Sequence, residues 1–512
     1  MSKNIHYPEN NIKNRNNQPV IVRIAPSPTG TLHIGTARTA LFNFLFAKHN
    51  EGRFYLRIED TDIERSKPEF EKDIIENLRW LGLKWSGRIL RQSQRRKVYA
   101  KYIKKLLDSG RAFWCYHTKE ELEEEKQGQA GRGEAQVHFC EHKHDSRRGQ
   151  TSANSPRSVL GAAKGVIRLK CPANNIKFHD LIRGEIEFQT SQIGDFVIAK
   201  DAQNPLYNLA VVIDDYETKV SHVIRGDDHI SNTPKQIIIL ESLALARPQY
   251  AHIPLTLAPD KTKLSKRHGA TAIQEYKEIG YLPEALINFM SFLGWNPGGE
   301  KEIFTLEELV REFTIEQMQR SAAIFNIEKL DWFNGCHIRQ LSLRELTKRC
   351  IPYLENAKLI QKEKNEKCKK FKILSTNESI SLSWLEKVVR LEQERMKKLS
   401  EIGELTGFFF RDELTYELEL LRWKDMTKQE LKSSIDKLYN ILSNVNSRDF
   451  VTDKLSAILM PEAEKMKDRG RLLWPLRVSI TGLKASPGPF EVLSVLGKER
   501  ALKRIKDAQM RL

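Results

Sequence analysis

Two segments far apart in the chain carry residue types suited to holding a polyphosphate. The first is Arg23-Ile-Ala-Pro26-Ser27-Pro-Thr-Gly30, followed by His33-Ile34-Gly35-Thr36. A turn of small residues lets backbone approach an anion, and the helix it opens offers free N–H groups and a positive dipole end. It has neither the Gly-x-Gly-x-x-Gly of dinucleotide sites nor the Gly-Lys-Ser/Thr of P-loops. It has His33, three residues after a glycine, where an imidazole can donate to phosphate. The second segment is Lys263-Leu264-Ser265-Lys266-Arg267, preceded by Asp260-Lys261. Its lysines flank a small hydroxyl and can wrap a triphosphate from the opposite side, following it as flexible point charges. Alone, the first is a Pro/Gly turn and the second a solvated basic stretch. A third set, Cys115-x-His117 with Cys140-x-His142, offers two thiolates and two imidazoles suited to tetrahedral zinc. His138 and His144 blur the choice of ligand, and a His-rich exposed loop is an equal reading.

Strands and helices must hold these groups. Val20 to Ile24 reads as a buried strand running into the turn, and Ile34 to Lys48 as a helix with Leu41, Phe42, Leu45 and Phe46 on one face. Phe54 to Ile58 follows as a strand, and Glu69 to Leu81 as a helix that Pro68 can start. That alternation is the grammar of a parallel α/β sheet. It is interrupted over residues 105–207 by a Lys/Glu-rich helix, a Gly/Ser/His-rich stretch (Gln127–Ser158) and short β-like runs such as Gly165–Lys170. Ala210–Ile213 and Val220–Ile224 then read as buried strands and Thr233–Leu245 as a helix. The simplest topology is a Rossmann-type nucleotide sheet split by an inserted domain. Beyond residue 345 the chain is dense in Lys, Glu and Leu at helical spacing, most basic from Lys358 to Lys372, which reads as an all-helical region.

The chain has 512 residues, more than one hydrophobic core supports, so several domains are expected. No apolar run is long enough to span a membrane, and Met1–Pro19 reads as a disordered Asn-rich leader. Six cysteines in this length are no disulfide framework and fit a reducing cytoplasm. The net charge of +17 favours a polyanionic partner, of which nucleic acid is the commonest.

Together the first two segments resemble the HIGH and KMSKS signatures of class I aminoacyl-tRNA synthetases, written here HIGT and KLSKR. The text around them is similar to the bacterial-type glutamyl-tRNA synthetase family: residues 23–43, Leu-Arg-Ile-Glu-Asp-Thr-Asp (56–62), His-Val-Ile-Arg-Gly-Asp-Asp-His (222–229), Lys-Leu-Ser-Lys-Arg-His-Gly-Ala (263–270), and Gly-Tyr-Leu-Pro-Glu-Ala-Leu (280–286). Trp-Pro-Leu-Arg-Val (474–478) and Ser-Pro-Gly-Pro-Phe-Glu-Val (486–492) extend the likeness to the C-terminus. Two departures stand out: Thr36 for the family's glycine, and Asp227 for its glutamate.

The resemblance implies a Rossmann-type α/β catalytic domain in two halves (20–104 and 208–256) around an acceptor-end domain (105–207). A stem-contact domain (257–344) and a helical anticodon-binding region (345–512) would follow. It implies ATP as substrate with Mg²⁺, bound by Pro26, His33, Ile34, Gly35, Thr36, Lys263, Leu264, Ser265, Lys266 and Arg267, with His33, Lys263 and Lys266 stabilising charge in the reaction. Arg23 would pair with the side-chain carboxylate of L-glutamate and Glu59 with its α-ammonium, with Ser27, Tyr207 and Arg225 completing the pocket. The expected partner is tRNA for glutamate, with charging of tRNA for glutamine left open, and the expected enzyme is a cytoplasmic monomer whose activation step needs bound tRNA. At the cysteine set some family members carry Cys-x-Cys where this chain has His117. A glutaminyl-tRNA synthetase is disfavoured by the helical C-terminal region, a truncated paralogue by its presence, and a dead RNA-binding copy by the intact signature residues.

Overall fold

Val20 leads into the strand Ile21–Ile24, which is buried at every position. It pairs in parallel with Arg53–Ile58, and that strand with the short Leu90–Arg91. Parallel neighbours need a crossover, and the helix Ile34–His49 provides the first one. The return is tight: a Cβ at Gly52 would lie 2.2 Å from the Val20 carbonyl oxygen, so only glycine fits. The helix is buried on all sides rather than on the single expected face, the position of a helix apolar all round. The chain is described over residues 19–62, 64–144, 165–363 and 370–512 of a computed structural model, without the side chains of His144 and Lys266. The expected leader up to residue 18, and parts of the Gln127–Ser158 and Lys358–Lys372 stretches, lie outside the described residues.

A second parallel pair, His222–Gly226 with Gln249–Ile253, runs beside the first strand, where the Ser221 N–H donates to the Ile21 carbonyl at 2.9 Å. Two expectations need correction. Ala210–Ile213 is not a strand but the middle of the helix Tyr207–Glu217. A short continuous apolar run cannot be separated from a buried helix segment by periodicity, and Leu209 to Asp215 are all buried. Second, the interruption at 105–207 is only partly a body of its own. Its antiparallel sheet of Ala112–Cys115, Val166–Leu169 and Phe196–Ala199 is hydrogen-bonded separately, though it shares a core with the first strand. Its hairpin, Ile176–Asp180 with Gly184–Phe188, instead extends the second parallel pair, with Tyr250 opposite Asp180.

The chain divides into two compact units, Met1–Tyr276 with Leu286–Ile327, and Lys277–Ala285 with Glu328–Leu512. The boundary expected at 345 therefore falls inside the second unit. That unit is helical as expected, with one addition, an antiparallel sheet of Ile360–Lys362, Lys370–Ile373 and Ser379–Ser381. Its helix Lys428–Asn444 shows how sequence sets the element. Thr427 and Glu430 form a reciprocal capping box, and Leu431, Ile435, Leu438 and Leu442 recur at helical spacing along the buried face. The two C-terminal family segments meet here: Arg477 donates to the Ser486 and Pro487 carbonyls at 2.6 and 3.0 Å. Among the described residues no helix is long and apolar enough to cross a membrane.

Candidate active site

The turn after the first strand places His33 as the N-cap of the helix Ile34–His49, where its Nδ1 accepts the Gly35 N–H at 3.0 Å. An accepting Nδ1 puts the proton of the neutral ring on Nε2, leaving that N–H as a donor. Burial, then the charge of Lys263, lower the His33 pKa against an opposing pull from Glu275, so the ring is neutral at pH 7. The first signature segment is tied to the chain that follows the second. The Ile34 N–H donates to the Thr271 carbonyl at 2.8 Å and the Ile273 N–H to the Leu32 carbonyl at 2.9 Å, around a bridge between His33 and Ala272. Two of the opening N–H groups of the helix are thus engaged, and Thr36, the departure from the family pattern, carries the next one.

Lys263 and Arg267 are exposed, while Leu264 is buried and anchors the loop. The loop bonds to itself: Asp260 accepts from Thr262 through both N–H and hydroxyl, and Arg267 Nη2 donates to Thr262 Oγ1 at 2.9 Å. The backbone of Lys266 opens a short 3-10 turn.

The expected glutamate-binding residues come from four segments, and two of them, Arg23 and Glu59, are joined in one charged network through Asp215 and Arg57. Arg23, at the end of its strand, donates through Nε and Nη2 to both oxygens of Asp215 at 3.0 and 3.3 Å. Arg57 Nη1 donates to the same Asp215 at 2.5 Å, and its Nε and Nη2 to Oε1 of Glu59 at 3.3 and 3.1 Å. Both bonds land on one oxygen of Glu59, and among the described residues Oε2 takes none. Burial raises the Glu59 pKa against the opposing arginines, while Asp215 is held low by Arg23 and Arg57 despite its burial. Tyr207, at the start of its helix, feels the charges of Glu59, Arg225, Arg23 and Arg57, and its hydroxyl lies 3.3 Å from Nδ1 of His229. Ser27 lies exposed on the turn.

Arg225 differs from the others. It is 5% exposed, yet its bonds go to neutral groups: Nε to Nε2 of His252 at 3.2 Å, and Nη2 to Thr233 Oγ1 at 2.7 Å and the His229 carbonyl at 3.4 Å. Its buried Nη1 has no partner among the described residues. Burial accordingly lowers its pKa.

Asp214, Asp215, Thr233 and His252 lie outside the sequence motifs, and His229 lies in one without an expected role. One signal was available, since two acids closing the apolar run Leu209–Ile213 ask for cations. Arg57, Arg95, Gln92 and Tyr99 answer Asp214. Arg38, inside the first helix and 4% exposed, donates to the Leu293 and Pro254 carbonyls at 2.6 and 2.8 Å, and burial lowers its pKa to about 9. It fixes the chain leading into the Lys263 loop.

The cysteine set also converges. Cys115 Sγ lies 3.4 Å from Nδ1 of His117, Cys140 Sγ 3.6 Å from the same nitrogen and 3.3 Å from Nδ1 of His142, with one ligand atom of each residue within 4.8 Å of the rest. The edge of a tetrahedron with Zn–S of 2.3 Å and Zn–N near 2.05 Å is about 3.6 Å, so the set fits zinc. His138, 4.0 Å from Cys115, is turned by a 2.5 Å contact to Glu125.

A paired parallel sheet and a His-capped helix, tied by backbone bonds to the chain that follows a basic loop, belong to the catalytic domain of a class I synthetase. The family model for tRNA synthetases class I (E and Q), catalytic domain, matches residues 19–332, and that for an anticodon binding domain matches 345–509. The chain belongs to this class I tRNA synthetase (E and Q) family. Within it, the chain is 41% identical to "Glutamate--tRNA ligase 2" of Thermoanaerobacter pseudethanolicus, covering 96% of this chain and 98% of that one. It is 42% identical to "Glutamate--tRNA ligase 1" of Caldicellulosiruptor saccharolyticus, covering 95% and 98%. A crystal structure of a glutamate tRNA ligase from Elizabethkingia meningosepticum in complex with its amino acid superposes with a TM-score of 0.83 at 29% identity, covering 97% of this chain and all of that one.

Proposed function

We propose that the chain is a glutamate–tRNA ligase, forming glutamyl-adenylate from L-glutamate and ATP and passing the glutamyl group to the 3′ end of tRNA. The observation that carries this reading is Arg225. A buried cation bonded only to neutral groups is costly unless an anion joins it, and its free Nη1 has the place and charge to take a carboxylate oxygen. Arg23 has two nitrogens committed to Asp215, which leaves its Nη1 to serve the same anion. Glu59 Oε2 and Tyr207 complete the pocket on the ammonium side. Buried polar recognition of this kind rejects an analogue lacking the matching group by orders of magnitude.

In the reaction an oxygen of the glutamate α-carboxylate attacks the α-phosphorus of ATP in line. The bond to the bridging oxygen breaks and pyrophosphate leaves with the electron pair. The 2′-hydroxyl of the terminal adenosine then attacks the adenylate carbonyl, and AMP leaves. No protein nucleophile is needed. His33 donates through Nε2–H and Lys263 follows the phosphates as charge develops on them, with Lys266 on the same loop.

The test is charging of purified tRNA for glutamate and, separately, tRNA for glutamine with labelled glutamate, ATP and Mg²⁺. Charging of the first alone gives a discriminating ligase and charging of both a relaxed one. Binding of both with charging of neither gives the place to an RNA-binding reading.

We also infer that Cys115, His117, Cys140 and His142 hold a structural zinc ion, the spacing of their donor atoms being the support. When bound, zinc would crosslink the two segments and take no part in the reaction. Protein purified without chelator should carry one zinc per chain by elemental analysis, and Cys140→Ser should lose it. Absent metal in the parent protein ends the idea.

A further inference from the structure

The glutamate pocket has a support that neither signature segment supplies. Asp180, fully buried at the end of the hairpin strand Ile176–Asp180, accepts Nδ1–H of His252 through Oδ2 at 2.6 Å. It also accepts the N–H groups of Ile182 and Arg183 through Oδ1 at 3.0 and 2.8 Å. With its proton directed to Asp180, His252 keeps Nε2 as an acceptor, and the groups there are Nε–H of Arg225 at 3.2 Å and the Thr233 hydroxyl at 3.0 Å. The strand register sets this up, placing Asp180 opposite Tyr250 and His252 opposite Arg225 on successive neighbours of one sheet. The other tautomer would point an N–H at the Arg225 N–H, so the carboxylate decides which way the ring faces. The same turn grips the segment a second time: Arg183 Nη2 donates to Asp227 Oδ2 at 2.6 Å and its Nη1 to the Arg320 carbonyl at 2.6 Å. One turn of the interrupting region thus holds both ends of Arg225-Gly226-Asp227.

We propose that Asp180 and His252 are positioning residues that aim the Arg225 guanidinium at the glutamate carboxylate, with Arg183 steadying the segment through Asp227. The inference rests on the reading of Arg225 as a carboxylate receiver. It explains why a buried His–Asp pair lies in a strand that chain order assigns to the interruption. It also gives Asp227, shorter than the family's glutamate, a partner of its own.

The test is aminoacylation at saturating tRNA, with KM for glutamate and for ATP measured separately. Asp180→Asn and His252→Asn should each raise KM for glutamate about tenfold, the worth of one hydrogen bond to a charged group, with KM for ATP within about twofold. His252→Gln, whose amide oxygen can stand where Nε2 stands, should recover most of the loss. A general weakening of the fold would move both constants together and treat the two His252 variants alike, and that result overturns the proposal. Arg183→Ala, at a partly exposed position, serves if the buried variants do not fold: a rise in KM for glutamate alone supports the proposal, and unchanged constants overturn it. Arg225→Lys separates the layers. An unchanged KM for glutamate there removes the underlying reading, whereas impairment there with unaffected Asp180 and His252 variants removes only the relay.

Discussion

The proposed glutamate pocket and the Lys263 loop are both rich in cations, but they hold them in opposite ways. In the pocket Arg23, Arg57 and Arg225 are buried and held by bonds, and those of Arg23 and Arg57 to Asp215 span 192 and 158 residues of chain. In the loop Lys263 and Arg267 are exposed, and the bonds run among neighbours from Asp260 to His268. The difference matches the tasks proposed for them. Telling one amino acid from another needs donors that cannot move or hydrate, so that a wrong ligand leaves them unsatisfied. Following a triphosphate through displacement needs charges that can move with it.

The contrast is most directly broken at Arg225. Arg225→Ala should lower kcat/KM for glutamate by about a thousandfold or more, as expected when a buried recognition group is deleted, with KM for ATP little changed. Equal losses toward both substrates would mean that Arg225 shapes the site as a whole. Next in size is Lys263→Ala, which should cost roughly a hundredfold in kcat, the scale of one charge-stabilising donor, while KM for glutamate stays within about twofold. If KM for glutamate rises instead, the division of labour between loop and pocket is wrong. Asp215→Ala should act on the fold as much as on catalysis. It leaves Arg23 and Arg57 buried without their shared carboxylate, which should cost about 3 kcal/mol, read as a lower unfolding temperature. Arg267→Ala, which removes only exposed bonds, should leave that temperature nearly unchanged.

The same contrast explains what could be read from sequence. The loop and the His33 turn were legible because their chemistry is local: a helix start, a cap and lysines at fixed spacing. The cysteine set was legible for a related reason, since two short Cys-x-His pairs carry their own geometry. The strands Ile21–Ile24 and Arg53–Ile58 and the helix after each showed themselves by apolar pattern. Asp215 and His252 did not, because their roles exist only once the sheet brings remote strands together. The helix Tyr207–Glu217 reads as a strand for an allied reason. Buried on every side, Leu209–Ile213 has no polar face to reveal a period, and only the acids after it hinted at a charged neighbour. The hairpin Ile176–Phe188 was assigned to the interruption by chain order, while strand pairing places it in the sheet that carries Arg225.

The smallest effect probes a place where loop and core meet. His33 must stay neutral for Nδ1 to accept the Gly35 N–H, and burial, then Lys263, depress its pKa below 6.5. A histidine depressed in the folded state keeps its full contribution to stability above 6.5. That contribution fades as pH falls below 6.5, where the unfolded chain takes up the proton first. The acid limb of kcat should therefore lie below pH 6.5, with a flat profile from there to pH 8 on the part of this group. Lys263→Met removes one of the two depressing causes, so the His33 titration followed by NMR should move up toward 6.5 while burial still holds it below. An unmoved titration would mean that the exposed lysine does not reach the cap electrostatically, leaving the backbone bonds at Thr271 and Ile273 as the link between the cap and the chain after the loop.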